Sequence, residues 1–392
     1  MPSSQPPPPL TLYVHIPWCV RKCPYCDFNS HAADEIPEAA YVAALIADLE
    51  TELPMVWGRC IDSVFIGGGT PSLLSPEAIE HLLSAIRARL ICRPYGEITL
   101  EANPGTVEQA RFEGYRAAGV NRLSMGIQTF DDALLGALGR IHTGREAREA
   151  VAAARAAGFE NLNLDLMFGL PGQTVAQAMT DLDTALDLGP EHLSWYELTL
   201  EPNTAFAAAP PTLPDEDTQW AMMTEGQARL ASRGFVHYEV SAYAREGRQC
   251  RHNLNYWQFG DYLGIGAGAH GKLTLPAEGR ILRRWRHRQP AAFMEGARAG
   301  RGLNGERVLG PEETALEFML NALRLVEGVP STLFTRHTGL GLEALEPARS
   351  AAVARGLLED DPSRLVATAT GRQFLNDLVG LFLPAEGADE KD

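Results

Sequence analysis

The sequence lacks any run of about 18 or more apolar residues, so no segment reads as a membrane-spanning helix. Positive charge is also short. Lys and Arg number 34 against 50 Asp and Glu, a net charge of −16. Phosphate binding needs a basic face, and a global field of this sign repels it, so nucleic acid is not an expected partner. Residues 1–10 have neither the basic nor the apolar region of a secretory signal. They are expected to form a short disordered tail, and the chain to be cytoplasmic. No self-similarity at periods of 20 to 50 residues suggests a repeat architecture. Cysteine is sparse, six residues in 392, and three of the six fall within residues 19–26. Such clustering in a reducing compartment points to metal binding or catalysis rather than a disulfide framework.

What remains is an ordinary globular composition, 45% hydrophobic and 21% charged, with enough apolar material for a sizeable core. From residue 11 short β-like runs alternate with amphipathic stretches. Strands are expected at 11–16, 63–66, 97–100, 122–126, 161–167 and 192–198, and helices between them, as at 37–53, 76–90 and 174–188. Six βα units in series imply a parallel sheet, open or closed. Polar or glycine-rich residues follow nearly every strand, which suits a barrel mouth better than a single crevice. The fold class is therefore α/β, a partial (β/α)6 TIM-like barrel over residues 11–245. A helix at 220–234 and a strand at 237–244 close that region. Residues 246–289 form a connecting region with a glycine-rich hairpin at 261–270. Residues 290–392 read as a small α-rich, winged-helix-like domain, with helices at 311–325, 331–337, 342–355 and from 370, and a β-ribbon at 356–367.

Cys19, Cys23 and Cys26 offer three thiolates from one short loop. A [4Fe–4S] cube takes thiolates and normally four of them, so three would leave one iron open. Structural zinc is the rival, with His15 or His31 as its fourth ligand. The scattered Cys60, Cys92 and Cys250 read as small buried hydrophobes.

The string Tyr13-Val14-His15-Ile16-Pro17-Trp18-Cys19, running into Cys-x3-Cys-x2-Cys behind a first strand, resembles the radical S-adenosylmethionine superfamily. Gly67-Gly68-Gly69-Thr70-Pro71, after the second strand, resembles the motif that holds the methionine amino group there. The resemblance implies a [4Fe–4S] cluster on the three cysteines with S-adenosylmethionine on the open iron. The hard chemistry then belongs to the cofactor, and the protein orients and shields it.

From residue 13 to about 383 the closer likeness is to the oxygen-independent coproporphyrinogen III oxidase-like branch. It is carried by Tyr-x-His-Ile-Pro-x-Cys, by Gly-Gly-Gly-Thr-Pro and by residues 165–174, Asp-Leu-Met-Phe-Gly-Leu-Pro-Gly-Gln-Thr. Matched by motif, Tyr13 is implied to lie near the cofactor, Gly68, Gly69 and Thr70 at its methionine end, and Glu101 as an acceptor for it. Gln128, Arg140 and Asp165 match polar positions around it, and Tyr25 and Thr199 match less specifically. Each has a plainer alternative: Glu101 as a turn cap, Arg140 paired with a surface acid. Asp165 sits among apolar residues, where a carboxylate without partners is costly.

Two activities compete within that branch. One is oxidative decarboxylation of coproporphyrinogen III. The other is haem binding and delivery, as in the HemW group of haem chaperones. Three features favour the second. The decarboxylase motif continues as Cys-x-Cys, but Phe28 stands two residues after Cys26. Only about ten residues precede the first strand. The string His252-Asn253-Leu254-Asn255-Tyr256-Trp257 matches the HNxxYW motif of the chaperone group. Implied partners are haem, an acceptor haem protein of the respiratory membrane, and an electron donor such as a flavodoxin or ferredoxin. His252 is the candidate haem-iron ligand, with Cys250 and His270 as rivals. The run Arg283-Arg284-Trp285-Arg286-His287-Arg288 is either a solvated face or a holder of propionates or of an acidic electron donor.

Overall fold

The computed structural model describes residues 6–384 apart from 34, 106 and 107. Among these, twelve strands form one sheet. At its centre lie β1 (Leu10–Ile16), β2 (Cys60–Gly68), β3 (Ile91–Ala102), β4 (Arg122–Gln128), β5 (Leu162–Phe168) and β6 (His192–Glu197). They are neighbours in chain order and all parallel, the arrangement expected of a partial (β/α)6 barrel. Helices cover both faces of such a sheet or its outside, so its strands read as near-continuous apolar runs. All seven residues of β4 are buried, and in β1 only Tyr13 is partly exposed.

The crossovers carry α1 (Glu38–Val56), α2 (Pro76–Arg89), α3 (Glu108–Ala118), α4 (Gly144–Ala156) and α5 (Val175–Asp187), and α6 (Glu216–Ser232) follows β6. Their starts were written in the sequence. Ser75 accepts from the Ala78 amide with Pro76 behind it, and Thr143 and Thr174 close capping boxes with Glu146 and Gln177.

Both flanks of the barrel extend further than expected. The single strand expected at 237–244 is two, β7 (Val236–Glu239) and β8 (Ala242–Ala244), with β8 antiparallel to β6. After α7 (Arg251–Trp257), β9 (Asp261–Ile265) joins the free edge of β1 in parallel. The glycine-rich hairpin then turns into β10 (His270–Leu275), followed by antiparallel β11 (Arg280–Arg286) and β12 (Leu303–Val308). The stretch read as a connection thus supplies three strands of the sheet, and the α-rich stretch adds a fourth after its first helix. Residues 1–5 of the expected tail lie outside the described residues. Leu10, placed in that tail, opens β1, and the Pro8 carbonyl accepts from Arg59 at 2.5 Å.

One basic run proves to be a clasp. Arg286 on β11 is fully buried, donating to Asp48 at 3.1 Å and to Glu52 at 2.6 Å on α1. Arg284 pairs with the same Glu52 and with Glu306, and Arg283 with Glu317. The solvated-face reading is therefore corrected for these three arginines: Arg284 and Arg286 tie the added strands to the barrel, and Arg283 ties them to the helix Pro311–Ala322.

Behind α8 (Pro290–Arg298), a second core gathers α9 (Pro311–Ala322), α10 (Ser331–Thr338) and α11 (Ala348–Ala354) around Phe318 and Phe334, with Phe259 inserted from the connection. The helix expected at 342–355 is broken at Pro347, which has no N–H to continue one. The ribbon expected at 356–367 shrinks to a bridge between Leu358 and Ala367, while residues 364–365 pair with 329–330. No helix of the described residues is long and apolar enough to cross a membrane.

Candidate functional site

The loop after β1 is closed at its base. Trp18 and Cys19 bridge to His31 and Ala32, and the amides of His31 and Ala33 donate to the carbonyls of Pro17 and Cys19. The three thiols are free and half-buried. Each has a polar neighbour: Thr70 Oγ1 at 3.5 Å from Cys19, Arg140 Nη1 at 3.8 Å from Cys23, and Ser30 Oγ at 4.0 Å from Cys26. Burial pushes the Cys19 and Cys26 thiols up, so metal loading at this loop must release their protons.

The donor set suits a cluster better than zinc. Zinc would gather its sulfurs at about 2.3 Å from one centre. Among the described residues no three His, Cys, Asp or Glu side chains are assembled for a single ion. His15 is also spoken for, with Nδ1 2.8 Å from the Tyr13 hydroxyl and Nε2 2.9 Å from the Asn29 carbonyl. A four-iron cube is wider and takes its thiolates from farther apart.

A cavity of about 310 Å³ opens beside the thiols at the C-terminal ends of the parallel strands, where barrel folds place ligands. It is lined by Tyr25, Gly68, Gly69, Thr70, Glu101, Gln128, Arg140 and Asp165, eight of the ten residues the resemblance singled out. Tyr13 faces a neighbouring cavity instead. Thr199 is exposed, and its hydroxyl donates to Glu201 at 2.8 Å. A Cβ on Gly69 would sit 2.5 Å from the Trp18 carbonyl oxygen, so only glycine lets β2's end approach the cysteine loop.

Arg140 pairs with no surface acid. Its Nη2 donates to Asn103 Oδ1 at 2.7 Å and to the Gly126 carbonyl at 2.6 Å, and its buried Nε has no partner among the described residues. Asn103 in turn donates to Thr70, and Thr70 to the Cys19 sulfur, so one polar relay runs from β4 to the cluster loop. Asn103, Ser124, Ser194 and Tyr196 also line the cavity and were not singled out. Asn103 follows the end of β3 and Tyr196 is next to the last residue of β6, but Ser124 and Ser194 lie inside their strands, where no signal in the sequence marks them.

Glu101 does not cap a turn; it accepts from the Gly68 amide at 3.0 Å. Burial, and then the nearby Asp165, push its carboxyl up to about 8. Burial also raises Asp165, against hydrogen bonds from Asn163 and Ser124. A cation arriving there would favour the ionised forms. Without one, the folded state holds protons that unfolded carboxyls have lost. The cluster-free protein should therefore lose stability as pH rises from about 4.5 to about 8. Thermal melts across that range should show the slope, and Glu101→Gln should flatten it; an unchanged slope would move its origin elsewhere.

The second cavity, of about 700 Å³, shares Gly68, Glu101 and Phe28 with the first. Tyr13, Tyr256, Trp257, Tyr262, His270, Lys272, Arg283 and Arg288 surround it. His252 lies beneath it rather than in it. That ring is 1% exposed, with Nδ1 3.1 Å from Ser63 Oγ and Nε2 3.0 Å from Tyr256 OH, and burial holds it neutral, down to about 3. Cys250 is buried against Glu97 at 3.5 Å, its thiol pushed up to about 12. Asn29, at the far end of the cysteine loop, donates to the carbonyls of Ala267 at 3.0 Å and Arg288 at 2.9 Å on the cavity's rim.

The radical SAM superfamily model matches residues 13–185, and the HemN C-terminal domain model residues 309–374. The chain is 50% identical to the haem chaperone HemW of Escherichia coli over 96% of its own length and 98% of the relative's. The chain belongs to the HemW family. To the haem chaperone HemW of Bacillus subtilis it is 34% identical over 95% of this chain and 98% of that one. The solved structure of E. coli coproporphyrinogen III oxidase, HemN, shares the fold at a TM-score of 0.81 and 23% identity, covering 96% of this chain and 90% of that one. Membership brings the cofactors of radical SAM proteins, a [4Fe–4S] cluster and S-adenosylmethionine, to a family member whose residues fit both. Three thiols on one loop would hold the cluster, and Gly68, Glu101 and the relay through Arg140 would line the S-adenosylmethionine position.

Proposed function

We propose that this protein binds haem in the cavity of about 700 Å³ and delivers it to an acceptor haem protein. The observation that carries the reading is that cavity itself, aromatic and cationic, sharing a wall with the cluster site. Small-molecule sites run from about 300 to 1,000 Å³, mostly apolar with a few placed polar groups. The HemW relatives' names agree with haem as cargo. The bound cluster supplies one-electron reduction. The chain's own residues hold the cofactors, exclude water and keep Glu101 poised to balance a cation. An acceptor in the respiratory membrane, a flavodoxin or ferredoxin as electron donor, and a cytoplasmic location complete the proposal.

The competing reading is decarboxylation of coproporphyrinogen III, favoured by the shared fold with HemN. Against it stands Phe28, where that motif has its fourth cysteine; the ring is exposed and lines both cavities. The test is anaerobic cluster reconstitution, then a haem titration, transfer to an apo-acceptor, and a coproporphyrinogen III turnover assay on one preparation. Stable, transferable haem without carbon dioxide release is the expected result. Turnover without specific haem binding would replace the chaperone with a porphyrin-pathway enzyme.

A further inference from the structure

We infer that His270 is the haem-iron ligand of this cavity and that Arg288 is the cation left free for a propionate. The inference rests on the proposed haem binding and assigns residues to it. Axial ligation needs a side chain with an uncommitted lone pair facing the cavity, and haem iron takes imidazole, thiolate, thioether or phenolate. The lining holds no cysteine or methionine. Its phenols are engaged: Tyr13 with His15, Tyr256 with His252, Tyr262 with Arg283. His15 has both ring nitrogens committed. His252, outside the lining, would have to give up its bond to Tyr256 and leave a fully buried position. His270 is exposed at the cavity, and its ring has no hydrogen-bond partner among the described residues.

The backbone under His270 is fixed although the ring is free. It opens β10 directly after a turn whose amides are all tied. Gly266 donates to Asp48, Ala267 to the Tyr41 hydroxyl at 2.9 Å, and Ala269 to the Gly266 carbonyl at 3.0 Å. The Arg286 amide donates to the Ala269 carbonyl at 2.9 Å. A Cβ on Gly264 would come within 1.8 Å of the His270 carbonyl oxygen, so glycine there allows the hairpin arms to close to this spacing. A donor held by its backbone, with its lone pair uncommitted, is preorganised for a ligand. Burial, with Arg283 and Arg288 nearby, keeps the imidazole in the neutral form that binds iron.

Of the cations around the cavity, Lys272 pairs with Asp261 at 2.9 Å and Arg283 with Glu317 and Tyr262. Arg288 is exposed and makes no ion pair among the described residues. Its planar fork matches a carboxylate.

The experiment uses the full chain with its cluster reconstituted, titrated with ferric haem and followed by absorbance and electron paramagnetic resonance. Wild type should show a histidine-ligated spectrum. His270→Ala should lose it and bind at least about tenfold more weakly, and added imidazole should restore the spectrum. His252→Gln should keep the wild-type signature. His270→Met should convert the signature to that of a thioether ligand, which a merely structural histidine would not do. An unchanged spectrum and affinity in His270→Ala, or an unchanged signature in His270→Met, would overturn the ligand assignment and leave haem binding intact. Failure of wild type to bind haem specifically would instead bring down the reading on which the assignment rests.

Discussion

Cys23→Ala should leave the protein unable to assemble its cluster, with iron and sulfide falling to background after anaerobic reconstitution. Three thiolates are all that the loop provides, and Arg140 Nη1 lies 3.8 Å from the Cys23 sulfur. With two thiolates left, two irons of the cube would face water and exogenous thiols, and the assembled cluster would be lost. Cys19→Ala and Cys26→Ala should behave alike. Cys60→Ala should retain full iron, because Cys60 is exposed at the opposite end of β2 from the site. The fold itself should be nearly indifferent, since each thiol makes only a weak sulfur contact, worth about 1 kcal/mol or less. Full iron content in Cys23→Ala would refute the ligand set.

Arg286→Met should destabilise the protein by about 3–5 kcal/mol, as expected when one member of a buried ion network is removed. Asp48 and Glu52 are both buried, and burial already pushes both carboxyls up against the pull of Arg286 and Arg284. Without Arg286 they stand together with one guanidinium on the side of Glu52. The apolar replacement refills the volume and restores none of the charge. Arg233→Ala, whose pair with Asp187 is exposed, should change stability by about 0–1 kcal/mol. Urea unfolding of both variants makes the comparison. A loss below about 1 kcal/mol in Arg286→Met would mean that the clasp adds no net stability.

The central strands were legible because burial on both faces writes them as apolar runs, and the site because polar groups and glycines punctuate their ends. The cysteine spacing needed no tertiary information. The flanking strands were not legible for a physical reason. In Arg280–Arg286 the arginines read as surface, yet Arg284 and Arg286 find Asp48 and Glu52 on α1, more than 200 residues earlier. The setting of His252 was hidden similarly: its motif fixes its neighbours in sequence, while Ser63, which holds its Nδ1, arrives from β2. A long-range partner can turn a reactive-looking side chain into a structural one, and periodicity carries no trace of it.

Asn29 gives the two cavities a common fastening. Its backbone belongs to the segment that carries the thiols, while its one amide group donates to the carbonyls of Ala267 and Arg288, on two adjacent segments beside the second cavity. Its own carbonyl is bonded to His15, on the strand from which that segment departs. That side chain is therefore a direct tie between the sulfur-bearing segment and the second cavity, added to the walls of Gly68, Glu101 and Phe28 that the two cavities share.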